Sequence, residues 1–243
     1  MSYVLIIGAK SDIAKEIARV YAKNGYDLYL AGRDVNSLNG MANDIKIRSD
    51  VDVKLKELDL LDFDSHKFFY EALEERPLGI IVVAGYMAEQ KECEKDWDKT
   101  INTINVNYTG AISILNIVAN DFETQKIGFI VGVSSVAGDR GRKANYIYGS
   151  AKAGFSVYLS GLRNRLFNSG VNVLTIKPGF VNTKMTLGLD LPEKLTAQPK
   201  EVASDIYNAQ QKGRDILYTK WIWRYLMLII KHIPEFIFKK MSI

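Results

Sequence analysis

Tyr3-Val4-Leu5-Ile6-Ile7-Gly8-Ala9-Lys10-Ser11-Asp12-Ile13-Ala14 is the stretch on which the fold of this chain turns. Its apolar run has strand length, stops at a glycine, and gives way to a polar turn that opens a helix reaching to about Asn24. The succession then repeats. Short β-branched runs at 4–7, 27–31, 53–58, 79–83, 127–133, 171–176 and 216–218 alternate with helical stretches. Such alternation implies parallel strands joined by right-handed crossovers, hence an α/β, doubly wound (Rossmann-type) sheet with helices on both faces. Ligands of such sheets bind at the carboxyl ends of the strands, and Gly8, Gly85, Ser135 and Pro178 each follow a predicted strand.

Bulk properties agree with one enzyme-sized domain. The 243 residues, 47% of them apolar, suffice for one sizeable core, and no linker, low-complexity tract or fixed-period repeat divides them. Residues 1–220 read as the catalytic, dinucleotide-binding unit and 221–243 as a basic aromatic segment of the same domain. The single Cys93 excludes an internal disulfide framework and leaves no cysteine cluster for zinc, which fits a reducing cytoplasm. With only His66 and His232, no metal site is expected, and His66 reads as a surface residue at a helix start. The apolar run near the N-terminus is too short for a signal peptide or a membrane span. Basic residues are dispersed without a recognition motif, so nucleic acid is not an expected partner.

The chemistry is concentrated in four residues. Tyr148 and Lys152 stand four apart and project from one helix face, where an ammonium acts on a neighbouring phenol. Alone, that pair is an ordinary amphipathic-helix spacing. Beside it, Ser135 can hydrogen-bond a carbonyl oxygen as charge develops there, and Asn107 can hold a water that links the lysine to solvent. Hydride delivery to a carbonyl leaves an alkoxide that needs a proton, and a phenol with an ordinary pKa of about 10 gives one up more readily beside a cation.

These motifs resemble the short-chain dehydrogenase/reductase family from Tyr3 to about Tyr218. Asn107 lies in an Asn-x-x-Gly segment 41 residues before Tyr148, and Ser135 lies thirteen before it, which selects Ser135 over Ser134. By that resemblance Asn107, Ser135, Tyr148 and Lys152 are the catalytic set, with Lys152 also binding ribose. The glycine turn departs from the family's Gly-x-x-x-Gly-x-Gly, since Asp12 and Ala14 replace the second and third glycines. Asp12 is read as a helix cap turned away from the cofactor, with Gly8, Lys10, Ser11 and Ile13 forming the turn around it.

Further along, Gly32 stands where relatives that prefer NAD carry an acid. Arg33 suits the 2′-phosphate of NADP through a forked contact, so NADP(H) is preferred over NAD(H). Asp34 pairs with Arg33 or caps the next helix. Asp59 and Leu60 resemble the adenine contact. Ala84 and Gly85 end the family's Asn-Asn-Ala-Gly segment, but Val82 and Val83 replace its asparagines, which bears on local packing. Pro178, Gly179, Val181 and Thr183 resemble the segment that meets the nicotinamide carboxamide and the phosphates.

After Lys220 the composition changes. Trp221, Trp223, Tyr225 and a run of aliphatics alternate with Arg224, Lys231, Lys239 and Lys240, and the longest uncharged stretch, 225–230, is too short to cross a bilayer. Two readings stand: an interfacial helix on anionic lipid, or a helix that completes the substrate pocket or packs on a second subunit. The chain also resembles, within the family, the decaprenylphosphoryl-2-ketoribose reductases, at 134–140, 145–150 and 232–240. That resemblance implies reduction of a keto-sugar on a polyprenyl phosphate for cell-envelope glycans, with an oxidase partner, at the cytoplasmic face of the membrane. It implies a homo-oligomer as well. Arg140, Arg142 and Lys143 are then either contacts for the carrier phosphate or a solvated loop. A reductase of a soluble carbonyl and a non-catalytic scaffold are the rival readings.

Overall fold

A computed structural model describes residues 2–241, so Met1 and the tail's last residues, Ser242 and Ile243, lie outside the described part. The elements run β1 (Tyr3–Ile7), α1 (Asp12–Lys23), β2 (Asp27–Gly32), α2 (Asn39–Ser49), β3 (Val53–Glu57), α3 (Ser65–Glu71), β4 (Gly79–Val82), α4 (Gln90–Cys93), α5 (Trp97–Ile104) and α6 (Gly110–Gln125). They continue with β5 (Phe129–Val133), α7 (Tyr146–Leu166), β6 (Asn172–Pro178), β7 (Phe180–Val181), β8 (Thr196–Ala197), α8 (Pro199–Gln211), β9 (Ile216–Thr219), α9 (Ile222–His232) and α10 (Glu235–Phe238).

Seven strands form one sheet in the order β3-β2-β1-β4-β5-β6-β9, every pairing parallel. This is the single-domain doubly wound sheet that the alternation predicts. A parallel strand is buried on both faces, which explains why β1 and β5 read as unbroken apolar runs. Val4 and Ile6 point to a core shared with α1, α2 and α8, whereas Leu5 and Ile7 point to a second core under α3, α6 and α7. Each such aliphatic side chain contributes roughly 1.5–3 kcal/mol on burial. Val82 and Val83 are both buried in these cores, so apolar packing occupies the place of the two missing asparagines.

The strand order reverses between β1 and β4, and a crevice opens there at the carboxyl ends. His66 departs from its reading. It is fully buried rather than a surface residue, its ring bonded to the Ser113 hydroxyl at 2.9 Å and to the Asp59 carbonyl at 3.3 Å, and burial lowers its pKa. The short pair β7 and β8 has no counterpart in the predicted strands, because two residues carry no periodicity.

The tail is divided between two surroundings. Trp223 and Met227 of α9 are buried, and Trp223 donates to the Leu195 carbonyl at 3.0 Å while meeting Phe180 edge-on. Gly179 permits that approach, since a Cβ there would sit 2.0 Å from the indole. Trp221, Tyr225, Leu228, Ile229 and Phe236 are instead exposed. Among the described residues no helix is long and apolar enough to cross a membrane.

Candidate active site

Two adjoining cavities lie at the carboxyl ends of the central strands, of about 420 Å³ and 370 Å³. They share a wall made by Lys10, Ser11, Val83, Ala84 and Gly85. The smaller takes Gly8, Arg33, Asp59 and Leu60 from the ends of β1, β2 and β3. The larger takes Asp12, Ile13, Ser135, Tyr148, Lys152, Pro178, Gly179, Val181 and Thr183. Of the residues expected to serve catalysis or the dinucleotide, Asn107 alone lines neither.

The β1–α1 turn is closed by its own side chains. Gly8 has φ +82°, and a Cβ there would lie 2.7 Å from the Ala84 nitrogen, so only glycine fits this approach to β4. The Ser11 hydroxyl accepts from the Ala14 N–H at 3.1 Å and caps the helix. Asp12 is therefore not the cap. It is the first helical residue, and its carboxylate accepts from the Lys184 N–H at 2.9 Å and lies 3.7 Å from the Lys15 ammonium. Asp34 neither pairs with Arg33 nor caps with its side chain. It holds Lys10 at 2.8 Å, and Arg33 extends exposed beside the smaller cavity.

The other half is built on α7 and the segment after β5. The Ser134 hydroxyl is buried against the Lys152 carbonyl at 2.9 Å and the Ser156 hydroxyl at 2.7 Å, a role inside the fold. Ser135 caps the following turn, accepting from the Ala137 N–H at 3.1 Å. Lys152 is buried, its ammonium donating to the Val133 carbonyl at 3.0 Å and lying 5.8 Å from the centre of the Tyr148 ring. Desolvation pushes the lysine down to about 7. It also pushes the Tyr148 phenol up to about 12, a rise that the Ser135 hydroxyl opposes. Burial thus drives both groups toward their neutral forms.

Asn107 sits in a π-helical turn, residues Asn105–Thr109, between α5 and α6. Such a turn inserts an extra residue into the helical ladder, often at functional sites, and nothing in the apolar pattern announces it. The Asn107 amide donates to the Thr103 carbonyl at 2.8 Å and the Tyr86 carbonyl at 2.5 Å. Its oxygen lies 3.4 Å, and the Lys152 ammonium 3.9 Å, from the place a Cβ on Gly85 would take.

The sequence reading missed the apolar lining by Met87, Val136, Phe180, Met185 and Leu189, and two roles of the loop before α7. Arg140 is not a solvated residue. Its guanidinium donates to the carbonyls of Ile230 and Ile233, each at 2.6 Å, pairs with Glu235 at 2.9 Å, and stacks 3.6 Å from the Phe238 ring centre. Arg142 lines the larger cavity, while Lys143 is exposed. Behind them, the Asp139 carboxylate is held by Lys177 at 2.5 Å and by the Tyr218 hydroxyl at 2.7 Å. Among the described residues no group of His, Cys, Asp and Glu is placed to hold a metal ion.

Comparison with known proteins gives this architecture its kin. The sequence profile described as short chain dehydrogenase matches residues 2–193. An uncharacterised oxidoreductase of Mycobacterium tuberculosis strain H37Rv is 33% identical over 241 residues, covering 98% of this chain and 96% of that protein. Another, from Streptomyces coelicolor, is 28% identical over 99% of this chain and 96% of its own length. Among solved structures, a short-chain dehydrogenase from Sphingobium yanoikuyae in complex with NADPH superposes with a TM-score of 0.85 at 24% identity, covering 97% of each chain. An alcohol dehydrogenase from Comamonas testosteroni specific for bulky-bulky ketones gives 0.82 at 20% identity, covering 97% of this chain and 96% of that one. Matched over most of its length by the family profile and by a relative above 30% identity, the chain belongs to the short-chain dehydrogenase family of oxidoreductases.

Proposed function

We propose that this protein is an NADPH-dependent ketone reductase whose catalytic residues are Tyr148, Ser135, Lys152 and Asn107. The observation that carries the reading is the convergence of Ser135, Tyr148 and Lys152 on one cavity at the ends of β4, β5 and β6. The residues fit a dinucleotide. The Gly8 turn lies against Ala84, the first two N–H groups of α1 have no intrahelical partner, and Arg33 stands exposed for a 2′-phosphate next to Gly32, the place where an acid would select the other cofactor. The Asp12 carboxylate is engaged by the Lys184 N–H rather than set free against the phosphates.

A bound NADPH supplies the hydride for the carbonyl carbon. Ser135 then orients the carbonyl oxygen and stabilises its growing charge, and Tyr148 gives the resulting alkoxide its proton. Lys152, once its charge is favoured, eases that proton's departure. Asn107 holds a water in the gap between its amide oxygen and the Lys152 ammonium, and it pins the Tyr86 backbone beside Gly85. Replacing Tyr148 by Phe is expected to lower NADPH oxidation by about a thousandfold while NADPH fluorescence still reports binding. Turnover retained in that variant would defeat the assignment.

The substrate within this reading is a keto-sugar on a polyprenyl phosphate, supplied by an oxidase partner at the cytoplasmic face of the membrane to a homo-oligomeric enzyme. Its support is the resemblance at 134–140, 145–150 and 232–240, together with the exposed apolar side chains of α9 and α10 among Arg224, Lys231, Lys239 and Lys240. Burial of Trp223 and Met227 favours the pocket-wall reading for the inner face of the same helix. The deciding measurement is NADPH oxidation with lipid-phosphate keto-sugars against soluble ketones. Leu228→Ser with Ile229→Ser is expected to lower co-sedimentation with anionic vesicles, and unchanged co-sedimentation would count against membrane contact.

A further inference from the structure

The loop between Ser135 and Tyr148 carries two polar groups that the fold leaves without partners. The Nε of Arg142 and the Oδ1 of Asn145 are both shut off from solvent and bonded to no described residue, and both residues line the larger cavity. The Arg142 side chain makes no hydrogen bond or ion pair with any described residue. The neighbouring charges are already engaged, because Asp139 is held by Lys177 and Tyr218, and Arg140 is consumed by the tail. Asp12, the acid that lines this cavity, serves the Lys184 N–H and lies beside Lys15. A half-buried guanidinium whose neighbouring acid, Asp139, is already held by two other groups is costly, and burial lowers its pKa although Asp139 opposes the fall.

Position sets this pair apart from the Gly8 turn and from Arg33. Arg142 and Asn145 follow β5, two strands from the β1 turn on which a pyrophosphate would rest, and neither lines the cavity that holds Gly8 and Arg33. They share their cavity with Tyr148, Val136 and Leu189, and with Pro178 and Thr183 of the segment expected to meet the nicotinamide end. An arginine donor without an acceptor calls for an oxyanion, and an amide oxygen without a donor calls for a hydroxyl. We infer that Arg142 and Asn145 form a substrate subsite, and that the ketone reduced here carries a phosphate or carboxylate for Arg142 and a hydroxyl for Asn145. The inference rests on the ketone-reductase reading and adds to it a binding site with a charge requirement.

The test is a matched pair of ketones with saturating NADPH, dihydroxyacetone phosphate against dihydroxyacetone, and pyruvate to separate carboxylate from phosphate. Wild type is expected to favour an anionic ketone in kcat/KM by about tenfold to a hundredfold, the scale of one hydrogen bond to a charged group. Arg142→Gln should remove most of that preference through KM, Arg142→Lys should restore part of it, and Asn145→Asp should weaken it by repulsion. Equal use of anionic and neutral ketones by wild type, or a preference that survives Arg142→Gln, overturns the subsite. Should none of these small ketones be reduced, the substrate screen above decides the reductase reading and a binding measurement decides this one. With saturating NADP+, inorganic phosphate should raise the melting temperature of wild type more than that of Arg142→Gln, and equal shifts overturn the subsite.

Discussion

The turn after β1 and the segment from Ser135 to Lys152 face the same crevice but treat their polar groups in opposite ways. In the turn, Ser11 caps its own helix, Asp12 accepts from Lys184, and Lys10 pairs with Asp34. In the segment, Lys152 is buried with a backbone carbonyl as its hydrogen-bond acceptor, and Arg142 and Asn145 each hold an unbonded buried atom. The side chains of the first region are satisfied by the protein itself. The second keeps polar atoms for something that enters, which supports the reading that places the chemistry there.

Three substitutions probe the contrast. The largest effect is expected of Lys152→Met, which should lower turnover about a hundredfold or more by removing the cation beside Tyr148. It should also change the pH dependence of stability. The folded lysine sits at about 7 against an ordinary 10.5, so between these values the unfolded chain binds a proton that the folded chain has released. Stability of the nucleotide-free protein therefore rises with pH across that window, and the Met variant should flatten the rise in melting temperature. The upward shift of Tyr148 to about 12 acts only above pH 10, where it lowers stability as the unfolded phenol ionises.

Next in size, Arg33→Ala should weaken NADPH binding about tenfold to a hundredfold while NADH binding changes little, as fluorescence titration with both nucleotides would read. Parallel losses for both cofactors would remove Arg33 as the selector. The smallest effect is expected of Asp12→Ala, which loses one hydrogen bond at a partly exposed position and should cost about 1 kcal/mol in denaturant unfolding. A much larger cost would mean that the β1 turn is less complete in itself than its bonds suggest.

What could be read from the sequence follows from how each signal is encoded. Strands β1, β4 and β5 were legible because burial on both faces leaves a continuous apolar run, and Tyr148 with Lys152 because one helical turn links them. Ser135 followed from a spacing in the family pattern. The π-helical turn at Asn107 was not legible, since one inserted residue leaves no trace in a pattern of apolar positions. His66 was misplaced because a histidine satisfied by Ser113 and a backbone carbonyl looks, in one dimension, like any polar residue at a helix start. Arg140, Arg142 and Lys143 formed one basic cluster in the sequence, yet packing sends one to the tail, one to the cavity and one to solvent.

The Arg140 guanidinium joins the carbonyls of Ile230 and Ile233, the Glu235 carboxylate and the Phe238 ring, and so moors the far end of the chain to the loop that also bears Arg142. A purification handle fused after α10 would pull on that mooring, and Arg140 stands next but one to Arg142 in the cavity wall. The amino side of the sheet is the better attachment point, because Tyr3, where β1 begins, lies at the strand end opposite the one that adjoins the smaller cavity.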